Sequence, residues 1–231
     1  MTAAPAPPAA HRAVHRRLQS LAASVLWLGV FAVLGMALAQ GAHTTALAAA
    51  ACLALAAAPV AFGALMGITF PRRLLTGLLA FNAGALLLGE IGGFYVTVWW
   101  WDILLHLVAS AVLSVFGMAL AMSATDGSPG RIGARMLAIL AFSFAMMVGA
   151  MWEVLEFSLD ATLGTVTQRS GLPDTMGDTA ANVVGAFAGA VVAHAHVARA
   201  KRWPLAGVLE DFMDQNPALY SWRRPGRRVR R

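Results

Sequence analysis

The sequence predicts an all-α membrane protein, a polytopic bundle of six transmembrane helices with both termini inside, and three observations carry that reading. Hydrophobic residues make up 59% of the 231 and the mean hydropathy is +0.68. The chain has only 17 basic and 11 acidic side chains, about half the charged share of an ordinary soluble domain. Six apolar stretches are each long enough to cross a hydrocarbon core of about 30 Å, which takes about 20 helical residues. A water-soluble enzyme is excluded, because too little polar surface remains to cover a globule of this size. The lone cysteine, Cys52, excludes an intramolecular disulfide framework and paired-thiol redox chemistry alike.

The spacing of the apolar runs predicts spans near 20–40, 46–68, 73–95, 101–122, 134–157 and 176–198. They are rich in Ala and Leu and lack period-2 alternation, so helices are expected rather than strands; in lipid each backbone amide must find its partner within the segment. Residues 1–19 read as a disordered basic lead, 20–200 as the transmembrane domain and 201–231 as a polybasic tail containing a short amphipathic helix from Leu205 to Asp214. Ala37-Leu38-Ala39 after the basic Arg12 to Arg17 also fits a secretory cleavage site, but the apolar run exceeds a usual signal core, so an uncleaved anchor is expected. Cleavage would leave five spans.

Positive charge sets the direction. Arg12, Arg16 and Arg17 precede the first span; Arg72 and Arg73 lie between spans two and three; Arg131 and Arg135 lie between four and five. Arg199, Lys201, Arg202 and the arginines of 223–231 follow the sixth. All of the 17 basic residues except Arg169 therefore fall on one side, which the positive-inside rule makes cytoplasmic. A multi-pass protein of the bacterial inner membrane follows, with membrane lipids as partners. The pI of 11.0 comes largely from these arginines, and no reader motif accompanies them, so nucleic acid is not an expected partner. A homodimer is compatible with a bundle this small, although no heptad pattern specifies one.

The acids show the opposite bias. Glu90, Asp102, Glu153, Glu156, Asp160, Asp174 and Asp178 lie in or near outer halves of spans or outer loops, and Trp99, Trp100, Trp101 and Trp152 mark the outer interface. In span four, Asp102, His106, Ser110 and Ser114 recur every four residues, which stacks them as a polar seam on one helical face. In span five, Glu153 and Glu156 share a face that Gly149 and Asp160 extend. In span six, Asp174, Asp178 and Asn182 recur every four residues, followed by Gly185 and Gly189 as a stripe on which a neighbouring helix can pack closely.

Three helices thus deliver carboxylates, one imidazole and one amide to similar depths. Asp102, Asp174 and Asp178 sit at helix starts, where capping or the helix dipole alone would account for them. Glu153 and Glu156 approach the negative end of their own helix, so they need a proton, a cation or a hydrogen-bond donor instead. His106 is their nearest partner by depth. The expected ligand-binding set is Asp102, His106, Glu153, Glu156, Asp174, Asp178 and Asn182, and the expected metal set is Asp102, His106, Glu153, Glu156 and Asp178, suited to a divalent cation such as Zn, Mn, Fe or Mg. His106 with a carboxylate would equally serve as base and acid on a lipid-linked or periplasmic substrate, and a purely structural seam in an assembly subunit is the third reading. No zinc-protease, Gly-x-Ser-x-Gly or P-loop pattern occurs. Asn82 in span three is expected to make an interhelical hydrogen bond, and His194 and His196 to lie at the inner interface.

The ordered motifs Gly93-Phe94-Tyr95, Trp101-Asp102-x-x-x-His106, Trp152-Glu153-x-x-Glu156 and Asp174-Thr175-x-x-Asp178 resemble the YjdF-like bacterial inner-membrane proteins, a domain of unknown function, over about residues 70–195. A looser similarity to VanZ-like membrane proteins, associated with glycopeptide-antibiotic resistance, rests on Asp-x-x-x-His, a later Glu and Asp178-x-x-x-Asn182-x-x-Gly185. Ile103 departs from the basic residue often found after that Asp, so the resistance role does not transfer. The resemblance implies that the polar residues belong together, and implies no activity.

Overall fold

The structure, a computed structural model, describes residues 9–125, 132–199 and 205–220, with side chains for 21–125, 132–198 and 205–220. The basic end at 223–231 and the cations Arg131, Lys201 and Arg202 lie outside the described residues, as do the side chains of Arg12, Arg16, Arg17 and Arg199. Among the described residues no strand occurs, and six helices are long and apolar enough to span a membrane: Leu21–Ala39, His43–Met66, Arg72–Ile91, Trp101–Ala124, Ala134–Leu163 and Leu172–Ala198. The chain divides into two compact units, residues 1–94 and 95–231.

The first unit holds α1 (Ala9–Ala39), α2 (His43–Met66) and α3 (Arg72–Asn82), which runs on as a π-helix over Ala83–Ile91. Helix α1 takes in residues 9–19, which the sequence leaves in the lead. Small side chains make the packing: Ala49, Cys52 and Ala56 of α2, spaced at three and four, are buried with Val30 of α1 and Leu79 of α3. Between helices in lipid such close approach supplies dispersion contacts that the hydrophobic effect does not. The π stretch closes with Gly92 N bonded to Leu87 O at 2.8 Å, the five-residue step of a widened turn. Asn82, at the junction, corrects an expectation. It is buried, but its Nδ2 finds no hydrogen-bond acceptor among the described residues.

The second unit begins with the single turn α4 (Phe94–Thr97) and is built on α5 (Trp101–Ala124), α6 (Ala134–Leu163) and α7 (Leu172–Arg199), each packed against the other two. The closest approach is α5 on α7. A Cβ added at Gly185 would collide with Leu107 O, and one at Gly189 with Ala111 O, so the stripe read from the sequence is the contact surface. Gly117 does the same for α6, where an added Cβ would stand 3.0 Å from Phe144 Cβ.

A short helix α8 (Ala206–Gln215), at nearly the expected residues, lies against α5. Phe212 meets Phe116 edge-on at 5.5 Å, and the wholly buried Tyr220 donates its hydroxyl to Ala119 O at 2.8 Å. His196 Nε2 lies 3.4 Å from Glu210 Oε1, and His194 Nδ1 lies 3.1 Å from Ala134 O. Both histidines are therefore engaged at the arginine-rich end. A cavity of about 590 Å³ at that end is lined by Arg135 and His194.

Candidate functional site

Because α6 runs opposite to α5 and α7, the late residues of α6 meet the early residues of its two neighbours. This happens at the arginine-poor end. His106, just over a turn into α5, is the centre, and its two ring nitrogens have different surroundings. Nε2 lies 3.6 Å from Asp102 Oδ1 and 3.8 Å from Asp178 Oδ1. Nδ1 lies 3.3 Å from Asn182 Oδ1 and 4.0 Å from Glu153 Oε1. The four-residue spacing of Asp178 and Asn182 explains how one face of α7 reaches both edges of the same ring.

Ser110, the next member of the α5 seam, donates its hydroxyl to Asn182 Oδ1 at 2.5 Å. Glu153, Asp178 and Asn182 are only 6%, 5% and 3% exposed, whereas the Asp102 side chain is 30% exposed and faces the mouth of the group. Neither oxygen of Glu153 has a hydrogen-bond partner among the described residues. Gly149, one turn before Glu153 on α6, leaves the space that Asn182 fills: a Cβ there would stand 2.8 Å from Asn182 Nδ2.

Three carboxyl groups stand around one imidazole, and all three ionised would carry negative charge that even a protonated ring does not balance. Burying it within a membrane is costly without a further positive partner. One oxygen each of Asp102 and Asp178 and one nitrogen of His106 lie within 4.8 Å of one another, so these three can approach a single ion together.

The other expected site residues, Asp174 and Glu156, make further contacts at the same end. Asp174 accepts a bond from Arg169 N at 3.0 Å through Oδ2, and its own N–H goes to Gly171 O, so it closes the α6–α7 loop. Glu156 is half-buried and lies outside the three-residue set; its backbone carbonyl accepts the Thr167 hydroxyl at 3.2 Å. Asp160 organises the same loop. Its Oδ1 accepts from Thr165 Oγ1 at 2.6 Å, Thr167 Oγ1 at 2.7 Å and Thr167 N at 2.8 Å, and its Oδ2 accepts from Gln168 N at 2.9 Å. Helix α6 stops here because Gly164 takes a left-handed conformation, φ +66°, that a side chain resists. Arg169 stacks over the Tyr95 ring at 5.0 Å. The Asn182–Ser110 bond is a contact between α5 and α7 that the spacing did not announce; only the shared depth of the two polar residues hinted at it.

Residues 21–199, which contain every residue of this group, match the family described as predicted membrane protein, DUF2238. The chain belongs to that family. The YjdF-like resemblance is consistent with the match. The family member is also 28% identical, over 103 residues, to an uncharacterised protein of Thermotoga maritima; the alignment covers 43% of this chain and spans about half the length of that relative. No solved structure matches.

Proposed function

We propose that this family member is an inner-membrane protein that binds a divalent cation at its periplasmic end, between Asp102, His106 and Asp178. The observation that carries the reading is Glu153, a buried carboxyl group whose oxygens accept no hydrogen bond among the described residues, standing 4.0 Å behind an imidazole that already faces two aspartates. A cation at Nε2 neutralises the group that the fold concentrates there. One nitrogen with carboxylate oxygens is a donor set for borderline ions such as Zn²⁺, Mn²⁺ or Fe²⁺. Three protein ligands leave coordination positions for water or for an oxygen of an exogenous ligand arriving past Asp102. The periplasmic orientation is supported by the arginines that crowd the opposite end.

Protein purified into lipid nanodiscs and dialysed against Zn²⁺ or Mn²⁺ tests this. The expected result is one ion per chain, lost in the Asp102→Asn, Asp178→Asn double variant while the helical circular dichroism is retained. Equal metal content in the two proteins rejects the site.

A further inference from the structure

We propose that the cavity at the arginine-rich end of α6 and α7 is a second site, which takes the phosphate headgroup of an anionic phospholipid on Arg135 and His194. It stands apart from the cation-binding group and does not depend on it. The lining comes from Ile132 to Arg135, at the start of α6, and from His194 and Ala198 on the last turns of α7, around a space of about 590 Å³. That volume suits a small polar headgroup.

The charge of the lining is one-sided. A guanidinium and an imidazole line the cavity, and among the described residues no carboxylate does. The imidazole is fixed in place: His194 Nδ1 lies 3.1 Å from Ala134 O, and because a carbonyl only accepts, the ring donates through Nδ1 and keeps Nε2 for another partner. Helix α6 adds to the same sign. Its cap residue, Gly133, has φ +77°, where the Ser, Asp or Asn that ordinarily caps a helix would be strained. The helix accordingly starts with no side-chain cap and no acid in its first turn. Arg135 thus stands at the positive end of its own 30-residue helix, where a cation is disfavoured until an anion joins it.

A phosphate can arrive free or on a lipid, and the surface beyond the cavity favours the lipid. Ile139 follows Arg135 by four residues on α6, and Val191 and Phe187 precede His194 by three and seven on α7. Each therefore shares a helical face with its polar partner and lies deeper in the membrane. All three are exposed. Two apolar strips lead from the cavity toward the bilayer centre, along which acyl chains can lie while the phosphate meets Arg135. A zwitterionic headgroup would bring its own ammonium into the positive lining, whereas an anionic one brings only negative charge. Anionic lipids populate the cytoplasmic leaflet, and basic pockets between helices on that side are where such headgroups bind.

The test is a titration of the full-length protein in neutral detergent with phosphatidylglycerol or with phosphatidylcholine of the same acyl chains, read by native mass spectrometry. The salt concentration is set high enough to screen exposed charges. One phosphatidylglycerol per chain is expected to bind ahead of phosphatidylcholine. Arg135→Gln is expected to weaken that binding about tenfold, the worth of a charge-assisted hydrogen bond, and His194→Leu to weaken it as well. Arg72→Gln removes one charge from the same side of the membrane but not from the cavity, and should bind as the wild type does. Equal binding of the two lipids, or equal losses in Arg135→Gln and Arg72→Gln, rejects the site in favour of diffuse attraction to a basic surface. Glycerol phosphate in the buffer separates the two sources of phosphate. If it displaces the lipid at equal concentration, the cavity takes a soluble phosphate and the lipid assignment is overturned; retention of the lipid supports it. Should Arg135→Gln lose its helical circular dichroism, His194→Leu and the comparison of the two lipids on the wild type decide the matter.

Discussion

Gly149 and Asn182 are matched across the α6–α7 contact: a methyl group at position 149 would stand 2.8 Å from Asn182 Nδ2 and 3.1 Å from its Cγ. The glycine forgoes about 1 kcal/mol of helix propensity relative to alanine. What it allows is the amide beside His106. Gly149→Ala should therefore change global stability little, because overpacking of about 1–3 kcal/mol is partly offset by the propensity gained. Its effect should instead appear in Zn²⁺ affinity, which is expected to fall about tenfold as Asn182 is pushed from the ring. Thermal unfolding and equilibrium dialysis measured on the same nanodisc sample separate the two. Unaltered affinity in a folded variant would show that the glycine serves only helix packing.

The acids of this end divide into two groups that a binding assay should tell apart. Asp178 lies 3.8 Å from His106 Nε2, whereas Asp174, one turn earlier on the same helix, spends its carboxylate on Arg169 N. Asp178→Asn is expected to reduce Zn²⁺ affinity at least tenfold, about 1.4 kcal/mol, while Asp174→Asn and Glu156→Gln stay near the wild-type value. Equal losses at all three positions would point to diffuse attraction by a negative surface rather than to a coordinated ion, and raising the salt concentration would then abolish the differences.

Asp160 belongs to neither group, since four donors from Thr165, Thr167 and Gln168 converge on its carboxylate. Its work is to fold the loop that returns the chain from α6 to α7. Asp160→Ala should make residues 164–171 susceptible to limited proteolysis, leaving the helical circular dichroism and the metal content of the protein in place. A loop that resists cleavage in this variant would mean that Asp174 and Arg169 suffice to hold it.

The helices were legible because the lipid requirement acts on composition over about 20 residues at a time, and so were the seams, because spacing along one helix settles which residues share a face. The four-residue steps from Asp102 to Ser110 and from Asp178 to Asn182 place residues correctly on their own helices. What spacing along a single helix cannot encode is rotation and depth across helices. Asp174 and Glu156 satisfy the same periodicities as Asp178 and Glu153, yet they lie about one turn nearer the loop, where backbone N–H groups and threonines engage them or their neighbours. The π-helical turns after Asn82 escaped for a related reason: Gly84 and Gly89 weaken the helix there, but an isolated glycine does not distinguish a widened turn from an ordinary one.

Asn82 offers the sharpest contrast between the two readings. An interhelical hydrogen bond, expected from the sequence, would make its loss cost about 0.6 kcal/mol. In the structure the amide nitrogen is buried without an acceptor among the described residues, and an unsatisfied buried donor costs about 1–3 kcal/mol. Replacing it by leucine, which keeps the branching at Cγ and removes the polar atoms, should therefore raise stability by on the order of 1 kcal/mol. Reversible unfolding of Asn82→Leu in mixed micelles, followed by the helical circular dichroism signal, measures the sign directly. A variant less stable than the wild type would mean that the nitrogen has found an acceptor in the membrane, and the widened turn beside it would be the first place to look for one.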